Sequence, residues 1–357
     1  MLSFKGVNMI KLTNNVIKDK YTDIAYEMFD LQDGADNTEI NTDIELPNEW
    51  QIGLIYGMSG AGKSTILKTF FGKPFSYQWD NKAIISNFTM LTPKEASEIL
   101  CAVGLSTVPS WLRPYHSLST GERARADLAM AIAQNSEIIC VDEFTSVVDR
   151  NVAKAMCNAV QKYIRKTDKK IVFASCHQDI IEWLLPDWAF NPTDNKTIYP
   201  RGNLCRPKIE LQVFQVKYDA WELFKKYHYL TADLNKSARC YVAYWNDTPV
   251  AFFAMLPQPS GYFKNGWRVS RIVVLPDYQG LGIGKALLDM FAKKVVEEDG
   301  GKFFVRMMNP ALAMHCLNSP NYVETSHSRK KEDKAGGFKN YKHDTRLCYA
   351  FRYEKGT

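Results

Sequence analysis

GMSGAGKST, Gly57 to Thr65, decides how this chain is read. It fits G-x-x-x-x-G-K-[ST], a phosphate-binding loop. The apolar run Gln51 to Tyr56 before it predicts a buried strand, and Ile66, Leu67 and Phe70 after it recur at helical spacing. Strand, glycine-rich turn and helix are the context the motif requires. Glycines let backbone N–H groups close on phosphate oxygens with no Cβ in the way. Gly57, Gly60, Gly62 and Thr65 are therefore assigned to the cradle, Lys63 to the β- and γ-phosphates, and Ser64 to Mg²⁺. The helix N-terminus adds partial positive charge. A glycine-rich turn with a chance lysine is the competing reading, and the residues downstream weigh against it.

Those residues come in order. His116 to Ala133, HSLSTGERARADLAMAIA, places Ser119, Thr120, Gly121 and Glu122 before a helix with Ala124, Leu128, Ala131 and Ile132 on its apolar face. Glu137 to Phe144 is an apolar strand ending in Asp142 and Glu143, a carboxylate pair suited to magnesium coordination and water activation. Thr145 to Asp149 follows, then a helix, then the strand KKIVFASCHQD ending at His177. The ordered set resembles the ATP-binding-cassette (ABC) ATPases over roughly residues 45–200. The resemblance implies ATP and Mg²⁺ as cofactors, with Ser119 and Gly121 contacting the γ-phosphate of ATP held by a second subunit. The implied assembly is an ATP-bridged homodimer. It also implies Asp142 as the magnesium-side acid, Glu143 as the general base, Ser146 and Asp149 as an inter-subunit loop, and His177 as the γ-phosphate sensor. Taken singly, Glu143 reads as a capping acid and His177 as a core histidine.

Two departures stand out. Thr120 and Glu122 replace the glycine and glutamine usual in that signature. The segment between the phosphate loop and the signature is short, with Gln78 and Asn87 as the candidates for a magnesium-contacting glutamine and neither assigned to that role. A short helical region without a membrane span implies a non-transport member. An aromatic near the N-terminus, Tyr26 or Phe29 in the expected short helix Tyr21 to Leu31, either stacks on adenine or belongs to the core. WDNKAIISNF reads as turn plus strand, and TPKEASEILCAVGL as a helix capped by Thr92 and stopped by Gly104.

The length, 357 residues, suits two or three domains. Apolar content of 46% and charge of 24% are ordinary for globular protein, which excludes a disordered chain. The net charge of +6 permits an anionic partner without requiring one. The eight cysteines show no metal-ligand spacing, and Cys101, Cys140, Cys157 and Cys176 lie in apolar context. Reduced core thiols and a cytoplasmic location are expected. No signal peptide and no membrane-spanning run is read in the sequence. Asn191 to Lys208, with Pro192, Pro200, Gly202 and Pro207, reads as a linker.

From Ile209 the pattern changes. IELQVFQVK alternates as a strand, and AWELFKKYHYL reads as a helix. ARCYVAYW and TPVAFFAML form a hairpin turning at Asn246-Asp247, and WRVSRIVVLP and GKFFVRMMN are further strands. Between those last two, Gln279-Gly280-Leu281-Gly282-Ile283-Gly284 opens a helix whose backbone N–H groups suit a pyrophosphate. A bare glycine motif also fits a dinucleotide site, but no acidic ribose ligand follows a next strand. Strand order and loop resemble the GNAT-type N-acyltransferases over about residues 210–325. The resemblance implies that Gln279, Gly280, Gly282 and Gly284 bind the pyrophosphate of acetyl-CoA or another acyl-CoA. Backbone amides near Val273, Val274 and Leu275 would hold the pantetheine arm and polarise the thioester.

Acyl transfer needs a base for the amine's proton and an acid for the leaving thiolate. The family's tyrosine position holds Cys316, with His315 beside it. Tyr322 is then the acid candidate, and His228 and Glu324 the base candidates, each also readable as structural. The tail from His327 mixes Arg329, Lys330, Lys331, Lys334, Lys339, Lys342 and Arg346 with Phe338, Tyr341 and Tyr349. It reads either as a nucleic-acid-binding arm or as a solvated loop before a final strand, CYAFRYE. Lys226-Tyr227-His228-Tyr229 is similar to a stretch of the phage Mom-type DNA-modification enzymes.

The expected fold class is α/β. An ABC-type P-loop ATPase domain (1–200) is followed by a linker (201–209) and an α+β GNAT-like acyltransferase domain with a basic C-terminal tail (210–357). The expected function is ATP hydrolysis joined to acyl-CoA-dependent N-acylation of a nucleic-acid base, DNA above all. Two alternatives stand beside it. One is a protein or small-molecule N-acetyltransferase with ATP-gated dimerisation. The other is a non-catalytic, ATP-switched DNA-binding assembly.

Overall fold

The computed structural model describes residues 9–13, 17–30, 37–134, 137–205, 207–228, 233–327 and 348–355. Tyr229 and the tail residues Arg329, Lys330, Lys331, Lys334, Phe338, Lys339, Tyr341, Lys342 and Arg346 lie outside the described residues. Contacts divide the chain into two compact units. One comprises 1–77, 134–153 and 160–207; the other comprises 78–133, 154–159 and 208–357.

The elements of the first two hundred residues begin with β1 (Met9–Thr13), α1 (Lys20–Phe29) and β2 (Asn37–Asn41), the two strands pairing antiparallel. β3 (Ile52–Tyr56) and α2 (Lys63–Phe70) flank the phosphate loop. α3 (Pro93–Ala102), α4 (Val108–Trp111) and α5 (Thr120–Ala133) follow. Then come β4 (Ile138–Val141), α6 (Arg150–Ile164), β5 (Lys170–Ser175), α7 (Ile181–Leu184), β6 (Trp188–Asn191) and β7 (Lys196–Ile198).

In the first unit a five-stranded sheet runs β4-β5-β3-β6-β7, the first four parallel and β7 antiparallel. Every residue of β3 is buried, as expected of a parallel strand covered on both faces. Gly53 is fixed by packing, since a Cβ there would lie 2.1 Å from the Trp188 ring. That indole stacks on Phe71 at 5.3 Å and meets Trp50 edge-on at 5.7 Å, which seats α2 against the sheet. The carboxyl ends of β3, β4 and β5 thus carry Gly57, Asp142 and His177 to one edge of the sheet, where ligands bind in open α/β folds.

In the second unit the sheet is built of β8 (Gln212–Val216), β9 (Arg239–Trp245), β10 (Thr248–Pro257), β11 (Gly266–Val274), β12 (Lys302–Met307), β13 (Tyr322–His327) and β14 (Tyr349–Tyr353). Its order is β13-β14-β12-β11-β10-β9-β8. Among the described strands of this sheet only the β11–β12 pair is parallel. α8 (Ile283–Lys293) stacks Phe291 on Phe253 at 4.1 Å, and α9 (Pro310–Leu317) follows β12. Asn246 and Asp247 both take positive φ, the two-residue hairpin turn expected between β9 and β10.

Four expectations change. WDNKAIISNF is not a strand: Ile84–Asn87 is a 3₁₀ turn. The buried Asn87 amide ties Asp80 N–H and Ala83 O into a loop, so it is committed locally. AWELFKKYHYL is two 3₁₀ segments, Tyr218–Leu223 and Lys225–Tyr227. Trp221 and Phe224, three residues apart, both pack on Phe252, and a 3₁₀ turn brings such residues into line. The stretch read as a linker begins at the last residue of β6 and carries β7, because Asn195 turns the chain back in the left-handed region. Cys176 is exposed at the end of β5, whereas Cys140 and Cys157 are buried; burial pushes the Cys140 thiol up to about 11.

Candidate functional site

The candidate nucleotide site is assembled from three strand ends of the first unit. Gly62 starts α2 at φ 81, and a Cβ there would lie 2.4 Å from Ile40 Cδ1, so both conformation and space demand glycine. Lys63 Nζ donates to the carbonyls of Gly57 at 2.9 Å and Met58 at 2.6 Å, holding the ammonium over the loop. Ser64 Oγ lies 3.0 Å from Asp142 Oδ1. Two cis oxygens of an octahedral Mg²⁺ at about 2.0–2.1 Å would sit about 2.9 Å apart, so this pair fits the ion. Ser64 and Asp142 would hold it, and the metal would neutralise phosphate charge.

Glu143 is exposed, with φ 49, and Thr145 has φ 68. Left-handed backbone at non-glycine residues is strained and collects at functional loops. The loop is pinned by Glu143 N–H on Asp142 Oδ1 at 2.9 Å and Phe144 N–H on Ala174 O at 2.8 Å. His177 Nδ1 is 3.4 Å from Thr145 Oγ1, and Ser175 Oγ accepts the His177 N–H at 3.1 Å. Burial and the nearby Arg150 guanidinium, itself paired with Asp179, lower the His177 pKa, so the ring is neutral at pH 7. Asp149 caps α6 through the Asn151 N–H at 2.8 Å. Tyr26 and Phe29 are not core residues, since α1 buries no residue and Phe29 is 69% exposed.

The signature segment lies in the second unit, and its departure from the usual pattern has a local cause. Ser119 and Glu122 form a capping box on α5: Glu122 Oε2 accepts the Ser119 N–H at 2.9 Å, and Ser119 Oγ accepts the Glu122 N–H at 3.3 Å. Ser110 Oγ donates to the same carboxylate at 2.5 Å, and Arg113 pairs with it at 3.2 Å. Burial alone would raise the Glu122 pKa, but the Ser110 and Ser119 bonds and Arg113 outweigh it and hold the carboxyl below its ordinary value. Ser119 and Thr120 are exposed at the helix start, and Gly121 is partly exposed.

The candidate acyl-carrier site is framed by a sheet that parts. β11 pairs with β12 only over Gly266–Arg268 and Lys302–Phe304. Beyond that point no described strand pairs with the β12-facing edge of β11, which leaves backbone groups toward Val274 for a ligand. Leu275 N–H donates to Val250 O at 2.9 Å, so strand alternation turns the Val274 N–H, rather than those of Val273 and Leu275, to the open edge. A Cβ on Gly284 would touch Val274 Cγ2 at 3.4 Å, so the α8 start lies beside that edge. Gly282, at φ 90 with open space where a Cβ would be, faces outward there. The donor row and the helix start fit the amide-rich arm and pyrophosphate of an acyl-CoA. Gln279 and Gly280 are held by protein: Gln279 bonds Ser106, Thr107 and Val274, and Gly280 packs on Ala159.

His228 meets Trp221 edge-on at 5.8 Å; burial and the Arg271 charge push its pKa down to about 4. It is neutral at pH 7 and a weak proton acceptor. Tyr322 is buried on β13 and donates to Asp289 Oδ1 at 2.9 Å. Burial and that carboxylate raise its pKa far above 10, which makes proton donation to a thiolate unfavourable. His315 Nε2 shares Asp289 at 2.9 Å, and Glu324 is exposed. Sequence reasoning missed Arg271, whose Nη2 donates to Asp233 O at 2.7 Å, and Asp289; neither carries a motif.

Residues 208–315 match the family model of the Acetyltransferase (GNAT) family. The phosphonates import ATP-binding protein PhnC 2 of Synechococcus sp. is 27% identical over 130 residues, 36% of this chain and 48% of that protein. The chain thus spans about half the length of that curated relative. Among solved structures, a dimeric bacterial ABC transporter cassette overlaps 46% of this chain and 93% of its own, at 16% identity and TM-score 0.37. The ribosomal-protein-S18-alanine N-acetyltransferase of Escherichia coli overlaps 42% of this chain and 96% of its own, at 14% identity and TM-score 0.31. No described helix is long and apolar enough to cross a membrane. The chain carries an ABC ATPase-like N-terminal region followed by a C-terminal region, residues 208–315, that matches the GNAT acetyltransferase family model.

Proposed function

We propose that this protein hydrolyses ATP with Mg²⁺ and transfers an acyl group from acyl-CoA to an amine. The ATPase half of the reading is carried by the Ser64–Asp142 pair at 3.0 Å beside Glu143. Lys63, the loop glycines Gly57, Gly60 and Gly62, and Thr65 hold the phosphates, Glu143 activates water, and His177 senses the γ-phosphate. One phosphate loop and one signature per chain support a homodimer, with Ser119 and Gly121 closing on the partner's ATP. ATP bound only by the dimer would stabilise it by linkage. The transferase half is carried by the parting of β11 from β12 beside the α8 start. Val274 N–H would face the thioester, with Gly282 and Gly284 at the pyrophosphate. We divide the chain functionally as 1–200, a linker at 201–209, and 210–357.

The acceptor in this reading is an amine on a nucleic-acid base, DNA above all. Its support is the basic, aromatic composition of the tail and the Lys226-Tyr227 pair, whose ammonium sits 4.9 Å from the ring centroid. A base amine in a duplex must be flipped out, and the few kcal/mol that costs is within reach of a dimer clamped on phosphates. Incubating the protein with acetyl-CoA, ATP and DNA or RNA, then digesting to nucleosides for mass spectrometry, tests it. An acylated nucleoside is expected; acylation of a protein or small amine alone would overturn the nucleic-acid acceptor.

A further inference from the structure

The turn from β11 to α8 is gripped along its length by other residues of the same compact unit. Arg125, on α5 and 1% exposed, donates Nη1 to Pro276 O at 2.8 Å, and its Nη2 lies 3.8 Å from Asp277 Oδ1. Gln279 Oε1 accepts the Ser106 N–H at 2.9 Å, while its Nε2 is 3.0 Å from both Thr107 Oγ1 and Val274 O. Asn158 Nδ2 donates to Gly280 O at 2.6 Å. Gly280, at φ 90, leaves no room for a Cβ: Ala159 Cβ would be 2.8 Å away and Ala155 O 3.1 Å.

An arginine is an unfavourable choice for filling this space. Burying a guanidinium is costly unless it is well paired, and here Nε and Nη2 have no hydrogen-bond partner among the described residues. An aliphatic side chain would fill the volume. What the arginine adds is a tether from α5 to the loop. Arg125 stands about one helical turn, ~6 Å, from Gly121. A helix transmits a shift of its first turn to its second with little loss. The loop passes the shift on, because Gln279 also bonds Val274 O on the open edge of β11.

We propose that Arg125 is a positioning residue for the acyl-CoA loop. The helix that opens on Ser119 holds Pro276–Gly280 in the form that receives the pyrophosphate, so nucleotide engaging that helix start tightens acyl-CoA binding. This rests on the function proposed above. A loop already held rigid loses less entropy when the ligand orders it, which gives the coupling its positive sign. By reciprocity acyl-CoA tightens ATP binding by the same factor.

The test titrates acetyl-CoA calorimetrically into full-length Glu143→Gln protein, which retains ATP unhydrolysed, with and without ATP and Mg²⁺. The Kd is expected to fall at least about 5-fold with ATP. Arg125→Met should bring that ratio toward one. Asp277 is 60% exposed, so Asp277→Asn keeps the test alive if the buried substitution misfolds, and it should lower the ratio as well. A ratio of one in the parent although both ligands bind, or an unchanged ratio in both variants, overturns the coupling alone. Absence of acetyl-CoA binding in every form overturns the transferase reading and the coupling with it.

Discussion

Glu143→Gln is expected to lower ATP turnover by about 10²–10⁴-fold while ATP binding persists. The substitution keeps the shape of the side chain and removes only its capacity to take a proton from water. The surrounding geometry does not depend on that carboxylate. The residue's own N–H is held by Asp142 Oδ1, its carbonyl is used by Ser146, and Phe144 is anchored on β5. The Ser64–Asp142 pair stays, so the proposed ligands of Mg²⁺ and the phosphates are kept. Steady-state phosphate release together with filter-bound nucleotide separates the two quantities. Wild-type turnover in the variant would remove Glu143 from the chemistry.

Asp187→Ala is expected to have the largest effect on stability, a loss of about 3–5 kcal/mol in the first unit. The Asp187 carboxylate, 8% exposed, accepts the N–H groups of Gln51 at 2.8 Å and Ile52 at 2.9 Å, and pairs with Arg165 at 2.8 Å and Arg201 at 2.9 Å. Removing it strands two backbone donors at the start of β3 and a part-buried guanidinium. Burial alone would raise this carboxyl, but the Arg165 bonds, the two N–H groups and Arg201 outweigh it, so its pKa lies below the usual range. A depressed folded pKa stabilises above the unfolded value of about 3.9, and that stability is lost as pH falls through it toward the folded value. Hydrogen exchange of the Gln51 and Ile52 amides should accelerate in Asp187→Ala. In Asp187→Asn the loss of stability below pH 4 should flatten. Unchanged exchange would contradict the network.

The candidate nucleotide residues were legible because they sit at the carboxyl ends of parallel strands, which one sheet brings to a single edge although β5 lies between β4 and β3. Asp142 meets Ser64 because β4 and β3 end on the same edge of one parallel sheet. Glu122 was legible as a departure but not as a cause: its bonds to Ser110 and Arg113 join residues that no periodicity links. The glycine loop was legible as a helix start. Its division of labour was not, since Gln279 and Gly280 face Ser106, Thr107 and Ala159, which are remote in sequence. Arg125 reads as one more polar residue of an exposed helix face until the fold buries it. Local turns were misread for a related reason. The Asn87 side chain and the Trp221-Phe224 pair choose 3₁₀ geometry through contacts that propensity does not register.

If one chain joins ATP hydrolysis to acyl transfer, the full-length protein should release free coenzyme A thiol from acetyl-CoA, measured with and without ATP and Mg²⁺ across DNA, RNA, protein and small-amine acceptors. Acceptor-dependent thiol release that rises with ATP is the predicted result. ATP hydrolysis with no thiol release on any acceptor would contradict the account and leave the second domain a binding module.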